Sequence, residues 1–140
     1  MLYCIGIVRP LPNWDKKGLD KFDPILKPNF MSERWGRSTF NYCSIMVGKE
    51  RVGNFGKCFW SDWVNSYKII TWDGMEDASF QDSDEIGMLL DLDAGTLSIY
   101  KNGRRLGTMV DGLSGEYCWT ATMWDYGDSV RIEKGSIPTD

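Results

Sequence analysis

Residues 84–107 read DEIGMLLDLDAGTLSIYKNGRRLG, and this stretch decides the fold. Every second residue from Ile86 to Leu92 is apolar, and the alternation resumes after residue 96, which is the period of strands with one buried face. Gly95 lies between the two segments, and the pair Asn102-Gly103 follows the second segment. Both suit tight turns, because glycine and asparagine tolerate positive φ. The sequence therefore predicts a three-stranded antiparallel meander at the centre of the fold.

Short segments of strand-like composition lie on both sides of this meander, separated by turn residues. A chain of 140 residues is long enough to bury a core as one domain, 1–140. We therefore predict an all-β fold, an antiparallel two-sheet β-sandwich. The additional predicted strands are Leu2–Val8, Phe40–Val47, Gly56–Trp63, Tyr67–Trp72, Glu116–Met123 and Ser129–Glu133.

The region of about 11–57 shows no clear period and reads as a long irregular insertion, with a short helical turn over Asp15–Phe22. The strand before it opens the chain, and termini usually lie at the surface. We expect that first strand either to lie at a sheet edge or to lack an upstream partner strand, in an N-terminally incomplete domain. An uncovered sheet edge would also allow a homodimer.

Composition excludes several classes of partner. Residues 58–140 carry fifteen acidic and six basic residues, a net charge of −9, which would repel nucleic acid. The apolar opening is too short to span a bilayer, so we expect no membrane association. The four cysteines lie too far apart for a metal knuckle, and with no Asn-x-Ser/Thr site they favour a cytoplasmic protein with reduced thiols. Seven Trp exceed the usual share; most should fill the core and a few should line a binding surface.

The sequence contains few residues that are suited to catalysis. It contains no histidine, so neither a Ser-His-Asp nor a Cys-His system can be built, and no phosphate-binding P-loop occurs. Asp91 and Asp93 could act as paired carboxylates of a glycosidase or as calcium ligands. Acids beside a hairpin turn more often accept hydrogen bonds from backbone amides. We expect no enzyme, no metal site and no cofactor.

Four segments carry a family resemblance. Asp84–Gly107, the loop DGLSGEY at 111–117, DYGDSVRI at 125–132 and LYCIGI at 2–7 resemble the SPRY domain. The closing segment departs from the family pattern, since Arg131-Ile132-Glu133 replaces its usual Asn-Phe. The resemblance implies a bent two-sheet sandwich of concanavalin or jelly-roll type. It also implies a non-enzymatic, intracellular scaffold or adaptor module that binds a short segment of a partner protein through loops at one rim.

The same resemblance suggests which loops bind. In SPRY domains that recognise peptides, a hydrophobic-Trp-Gly segment lines the pocket, and Met123-Trp124 resembles its first two positions, with Asp125 in place of glycine. Connections in a sandwich cluster at its ends. The predicted partner-binding residues are Arg9, Pro10, Trp72, Asp73, Met75, Met123, Trp124, Asp125 and Tyr126. The alternative is a carbohydrate-binding or glycoside-cleaving jelly roll, in which Trp rings stack on sugars and acids supply the chemistry.

Overall fold

The computed structural model describes residues 2–9, 42–46, 56–61, 67–81, 83–123 and 129–136. Within these ranges the chain is built from strands, with one short 3₁₀ turn at Met75–Asp77. The strands are β1 Leu2–Val8, β2 Tyr42–Met46, β3 Cys58–Ser61, β4 Tyr67–Ile70, β5 Ile86–Asp91, β6 Thr96–Lys101, β7 Arg104–Val110 and β8 Cys118–Met123. All their pairings are antiparallel, so the predicted all-β class is confirmed.

The predicted meander is confirmed as a three-stranded sheet in the order β5-β6-β7. Its first turn contains Gly95 at φ 72°, and its second contains Asn102 and Gly103 at φ 51° and 82°. Positive φ at two consecutive central positions is the requirement of a type I′ hairpin, whose twist matches that of the flanking strands. The turn chemistry of the sequence therefore sets both connections of this sheet.

The other described strands form a five-stranded sheet in the order β4-β3-β2-β1-β8. Strand β1 pairs with β2 on one side and with β8 on the other. The first alternative, that the first strand lies at a sheet edge, is wrong, because β8 returns from the far end of the sequence to pair with it. The second alternative, that the chain lacks an upstream partner strand, stays a prediction. The edges of this sheet are β4 and β8.

One cluster of buried side chains draws on both sheets. Ile7 and Ile45 from the five-stranded sheet are fully buried, as are Leu97 and Ile99 from β6. Trp72 and Phe80, from the connection between β4 and β5, belong to the same cluster. The core therefore includes the segment that links the two sheets.

The predicted strand at Ser129–Glu133 is wrong. Residues 129–136 form no strand, and Val130 and Ile132 are 38% and 69% exposed. Alternation yields a strand only where a neighbouring edge pairs with the segment and buries one face. Here the Arg131 guanidinium instead lies 2.5 Å from the Glu133 carboxylate, in an exposed ion pair.

The 11–57 region is described only in part. The strand predicted at Phe40–Val47 is present as Tyr42–Met46. The helical turn predicted at Asp15–Phe22 lies outside the described residues.

Candidate functional site

Trp72 is the anchor of the connection between β4 and β5. Its indole is 8% exposed and belongs to the core cluster. The indole Nε1 donates a hydrogen bond of 2.7 Å to the Gly56 carbonyl, and this bond is buried. Since a buried Trp rarely leaves its N–H unpaired, this bond both satisfies the indole and fixes its orientation. Trp72 was predicted to bind a partner, but the structure places its side chain in the core.

Gly107 of β7 allows this anchor to approach the meander. A Cβ at position 107 would overlap the Asp73 carbonyl oxygen and would lie 3.2 Å from carbons of the Trp72 indole. No side chain larger than hydrogen fits there without displacing backbone. The connection after β4 therefore lies directly against the meander, and a glycine is required at the contact.

The acidic connection, defined as residues 71–77, contains this anchor and has a fixed backbone. The Met75 and Asp77 amides donate to the Trp72 and Gly74 carbonyls, over 3.2 and 3.1 Å. Met75 is half-buried and packs against the core cluster. Asp73, Glu76 and Asp77 are exposed. Three carboxylates are therefore held on a short, well-anchored segment that contains no basic residue.

The surface of the acidic connection is an open depression rather than an enclosed cavity. Its volume is about 460 Å³, and residues 71–76 line it. Sites for small molecules are usually concave and lined by several elements with convergent polar groups. A depression formed by one continuous segment suits contact with another polypeptide better than capture of a small molecule.

Arg9 is committed to a loop of its own chain. Its guanidinium lies over the Tyr117 ring, 4.1 Å from the centroid, and its Nη1 donates a 3.2 Å hydrogen bond to the Glu116 carbonyl. A cation over an aromatic face is attracted to it by the ring quadrupole. These contacts attach the end of β1 to the residues before β8. Arg9 thus has a structural role, which leaves its predicted partner contact a prediction.

The register of β1 and β8 divides the predicted rim. Leu2 lies opposite Met123, and Val8 lies opposite Cys118. Arg9 therefore leaves the sheet at one end of this ladder and Met123 at the other, roughly 20 Å away at the usual rise of a strand. The prediction that Arg9 and Met123 lie on one rim is therefore wrong. The sequence alone did not show that β1 pairs with β8, and the relative position of these two residues depends on that pairing.

The acidic connection shares an end of the sheet with Met123 but not an edge. Successive pairings place Ile70 of β4 at the level of Ala121 of β8, and both strands run in the same direction. Strands β4 and β8 are the two edges of the sheet. Four strand spacings, roughly 19 Å, separate them. The predicted residues thus divide among three places, and Asp73 and Met75 share one of them.

Four predicted binding residues fall outside the described part of the chain: Pro10, Trp124, Asp125 and Tyr126. Met123 ends β8, and only its backbone is described. Partner binding by these residues stays a prediction.

Asp91, one of the two carboxylates considered for catalysis, accepts hydrogen bonds at a turn, and so does Asp84 upstream of it. The Asp91 carboxylate accepts hydrogen bonds of 3.1 Å from the amides of Asp93 and Ala94, as expected for an acid at a hairpin turn. The Asp84 carboxylate accepts from the Gln81 amide at 2.7 Å and from the Asn102 side-chain nitrogen at 2.9 Å. These hydrogen bonds assign both acids a role in turns.

Hydrogen bonding also perturbs the ionisation of Asp84. The Gln81 amide, followed by the Asn102 side chain and Lys101, lowers the pKa of the Asp84 carboxyl below its usual value of 3.8. The Lys101 ammonium lies 3.8 Å from this carboxylate and donates to the Ser79 carbonyl at 2.8 Å. These contacts pin the segment before β5 to the second hairpin turn.

Two features of the site were not predicted from the sequence. Glu76 and Asp77 extend the carboxylate surface beyond Asp73, and an acidic run directly after Asp73-Gly74 was the available signal. Gly107 as the contact point for Trp72 had no signal, because the two residues meet only in the folded chain.

Neither a cluster of metal ligands nor a membrane-spanning helix occurs among the residues that the structure describes. In those ranges no group of three or more His, Cys, Asp or Glu side chains is placed to hold a metal ion. No helix there has the length and apolar character needed to cross a membrane.

No protein-family model matches the chain, and neither the curated proteins nor the solved structures contain a significant match. The function is therefore inferred from the geometry and chemistry of the residues themselves.

Proposed function

We propose that this chain is a non-enzymatic protein-interaction module that binds a short, basic segment of a partner protein through the acidic connection. The proposed architecture is a SPRY-like two-sheet β-sandwich, with specificity in the loops of a rigid frame. One core cluster drawn from both sheets supports the sandwich, and the resemblance of residues 84–107 to the SPRY hairpin supports the family.

A single observation carries the proposal: a buried indole holds an exposed acidic segment. Trp72 is fixed by its bond to Gly56 and by close contact with Gly107, while Asp73, two residues before the 3₁₀ turn, is exposed. A surface that is already ordered loses little conformational entropy when a partner binds. Binding energy is then retained for the contacts themselves.

Charge favours a basic partner segment. The acidic connection carries three carboxylates, and the surrounding 58–140 half has a net charge of −9. A Lys- or Arg-containing peptide would be steered to this surface, and its arginines could form paired hydrogen bonds with carboxylates. The half-buried Met75 beside these acids offers an adaptable apolar contact.

The absence of histidine from the sequence and the use of Asp84 and Asp91 in turns support a non-enzymatic role. No described contact favours the carbohydrate alternative.

Selection from a display library of random short peptides tests the proposal, followed by affinity measurements on the enriched peptides. Binding is compared for the unaltered chain and for the site variant Asp73→Asn/Glu76→Gln/Asp77→Asn. A control variant, Asp93→Asn/Asp111→Asn/Glu116→Gln, changes the same number of exposed carboxylates elsewhere.

We expect enriched peptides to be rich in Lys and Arg. The site variant should weaken their binding about tenfold or more, which corresponds to about 1.4 kcal/mol, and the control variant should weaken it by less than about threefold. Equal losses in both variants would show general charge attraction and refute the assignment of this site. Failure of any peptide to enrich would refute peptide binding itself.

A further inference from the structure

The β8 edge of the five-stranded sheet differs from the other sheet edges. The two described sheets end in β4 and β8, and in β5 and β7. Charged residues lie in three of these strands: Lys68 in β4, Asp91 in β5, and Arg104 with Arg105 in β7. Strand β8, with the sequence CWTATM, contains no charge and no proline. Charges and prolines are the usual protection of an edge against pairing with another chain, and β8 has neither.

Trp119 adds exposed apolar surface to this edge. It lies opposite Ile7, and Ala121 lies opposite Ile5. Residues directly opposite in a ladder share a face, and Ile5 and Ile7 are buried in the core, so Trp119 is on the core side of the sheet. Its side chain is nevertheless 49% exposed. At the edge, therefore, an indole on the inner face is only half covered.

We propose that β8 pairs antiparallel with β8 of a second copy of this chain, forming a two-fold symmetric dimer with one sheet continuous across both copies. Strand β8 is compatible with itself because it places no like charges opposite one another. Each copy uses its only unprotected described edge, so the assembly closes at two.

Symmetry restricts the register. When a two-fold axis relates two antiparallel neighbouring strands of one sheet, the axis runs perpendicular to the sheet. The inner faces of the two copies therefore lie on the same side of the continuous sheet. Each residue then meets one of the same parity, so Thr120 meets Thr120 of the second copy, or Ala121 meets Ala121. Only these two registers pair most of β8.

The Trp119 side chains favour the register centred on Thr120. There, Trp119 lies opposite Ala121 of the second copy, and the two indoles are diagonal neighbours at about 7–8 Å, within reach of each other. In the register centred on Ala121 the indoles lie four residues apart, about 13 Å, and cannot meet. The Thr120-centred register covers both half-exposed rings.

This dimer leaves the acidic connection accessible. Strand β4, which leads into that connection, is the opposite edge of the sheet from β8. The dimer would therefore present two peptide-binding surfaces, and a partner with two basic segments would gain avidity. The dimer itself does not depend on the proposed peptide binding.

Sedimentation velocity over a concentration series tests the dimer, with Thr120→Lys as the disrupting variant. Thr120 is half-exposed, and the substitution places two ammonium groups opposite each other at the axis. Ser114→Lys changes the net charge equally at an exposed loop position and serves as the control. We expect a monomer–dimer equilibrium whose dissociation constant rises about tenfold or more with Thr120→Lys, and changes little with Ser114→Lys. Near-UV circular dichroism checks that both variants fold.

Disulfide trapping tests the register. In a Cys118→Ser background, Thr120→Cys should form an intermolecular disulfide when oxidised glutathione is added, because cross-strand Cα atoms at the axis lie about 4.5–5.5 Å apart. Cys118 itself would lie about 13 Å from its symmetry mate and should not form this bond. In sedimentation, a chain that stays monomeric or assemblies that grow without limit would overturn the proposal. So would a disulfide that forms as readily through Cys118 in the unaltered chain as through position 120 in the trapping variant.

Discussion

The meander and the five-stranded sheet are both antiparallel, but they are specified in different ways. Strands β5, β6 and β7 follow one another directly, joined by turns at Gly95 and Gly103. In the five-stranded sheet, β1 pairs with β8 from the far end of the chain. Each turn of the meander closes over a few residues, whereas the β1–β8 pairing must close a loop of more than a hundred residues. Local turn chemistry determines the first sheet, and the packing of remote segments determines the second.

The connection that leaves the five-stranded sheet after β4 meets the meander where Trp72 lies against Gly107, and this contact gives the largest expected effect. Gly107→Val would drive a side chain into the Asp73 carbonyl and the indole. We expect the free energy of unfolding to fall by at least about 3 kcal/mol, since the overlap is with backbone and cannot be relieved by a rotamer change. Urea titration followed by circular dichroism measures this loss.

Gly135→Val is the matched control, because a Cβ there meets no atom within 4 Å. It should change stability by less than about 0.5 kcal/mol. If Gly107→Ala, the milder change, also proved harmless, the meander and the acidic connection would not be coupled as described.

The same difference between local and remote determination decides which parts of the fold could be predicted from the sequence. Residues 84–107 were predicted correctly because period-2 alternation and Asn102-Gly103 act within a few residues. Alternation at Ser129–Glu133 was equally clear, yet that segment has no strand partner among the described residues. A strand requires a neighbouring edge, and the sequence does not show which edge is available.

Prediction of the candidate site was limited for the same reason. Asp73 and Met75 lie together because they are close in sequence. The grouping of Arg9 with Met123 failed because it depended on the β1–β8 register. Trp72 could equally have been a surface or a core aromatic, and only its contacts with Gly56 and Gly107 decide for the core.

Two substitutions at Asn102 test whether the second turn of the meander is determined by its local residues. Its side-chain oxygen accepts from the Glu85 amide at 2.8 Å, and its side-chain nitrogen donates to Asp84. Asn102→Gly keeps the positive φ but removes these bonds, so a loss of about 1 kcal/mol is expected. Asn102→Ala adds the cost of positive φ for a residue with a Cβ, for a total of about 2 kcal/mol.

Guanidinium unfolding curves of both variants give these two terms separately. A larger loss for Asn102→Gly than for Asn102→Ala would contradict the assignment of a backbone requirement at this turn.

The smallest expected effect concerns the acid sensitivity of the same turn. The Gln81 amide and the Asn102 side chain lower the pKa of Asp84 in the folded chain. The unfolded chain then binds this proton more readily, so the contribution of Asp84 to stability is present above its usual pKa of 3.8 and is lost as the pH falls through the lowered value. Asp84→Asn removes that contribution at every pH. The difference in urea midpoint between the unaltered chain and this variant should therefore be largest at about pH 6 and shrink by about pH 3.

Ser83→Ala, an exposed neighbouring change that removes no titratable group, should give a difference that does not vary with pH. A gap for Asp84→Asn that stayed constant down to about pH 3 would mean that the bonds from Gln81 and Asn102 do not depend on the charge of Asp84. The side-chain network around Asp84 would then stabilise the second turn through hydrogen bonds that the neutral carboxyl group also makes, and not through charge.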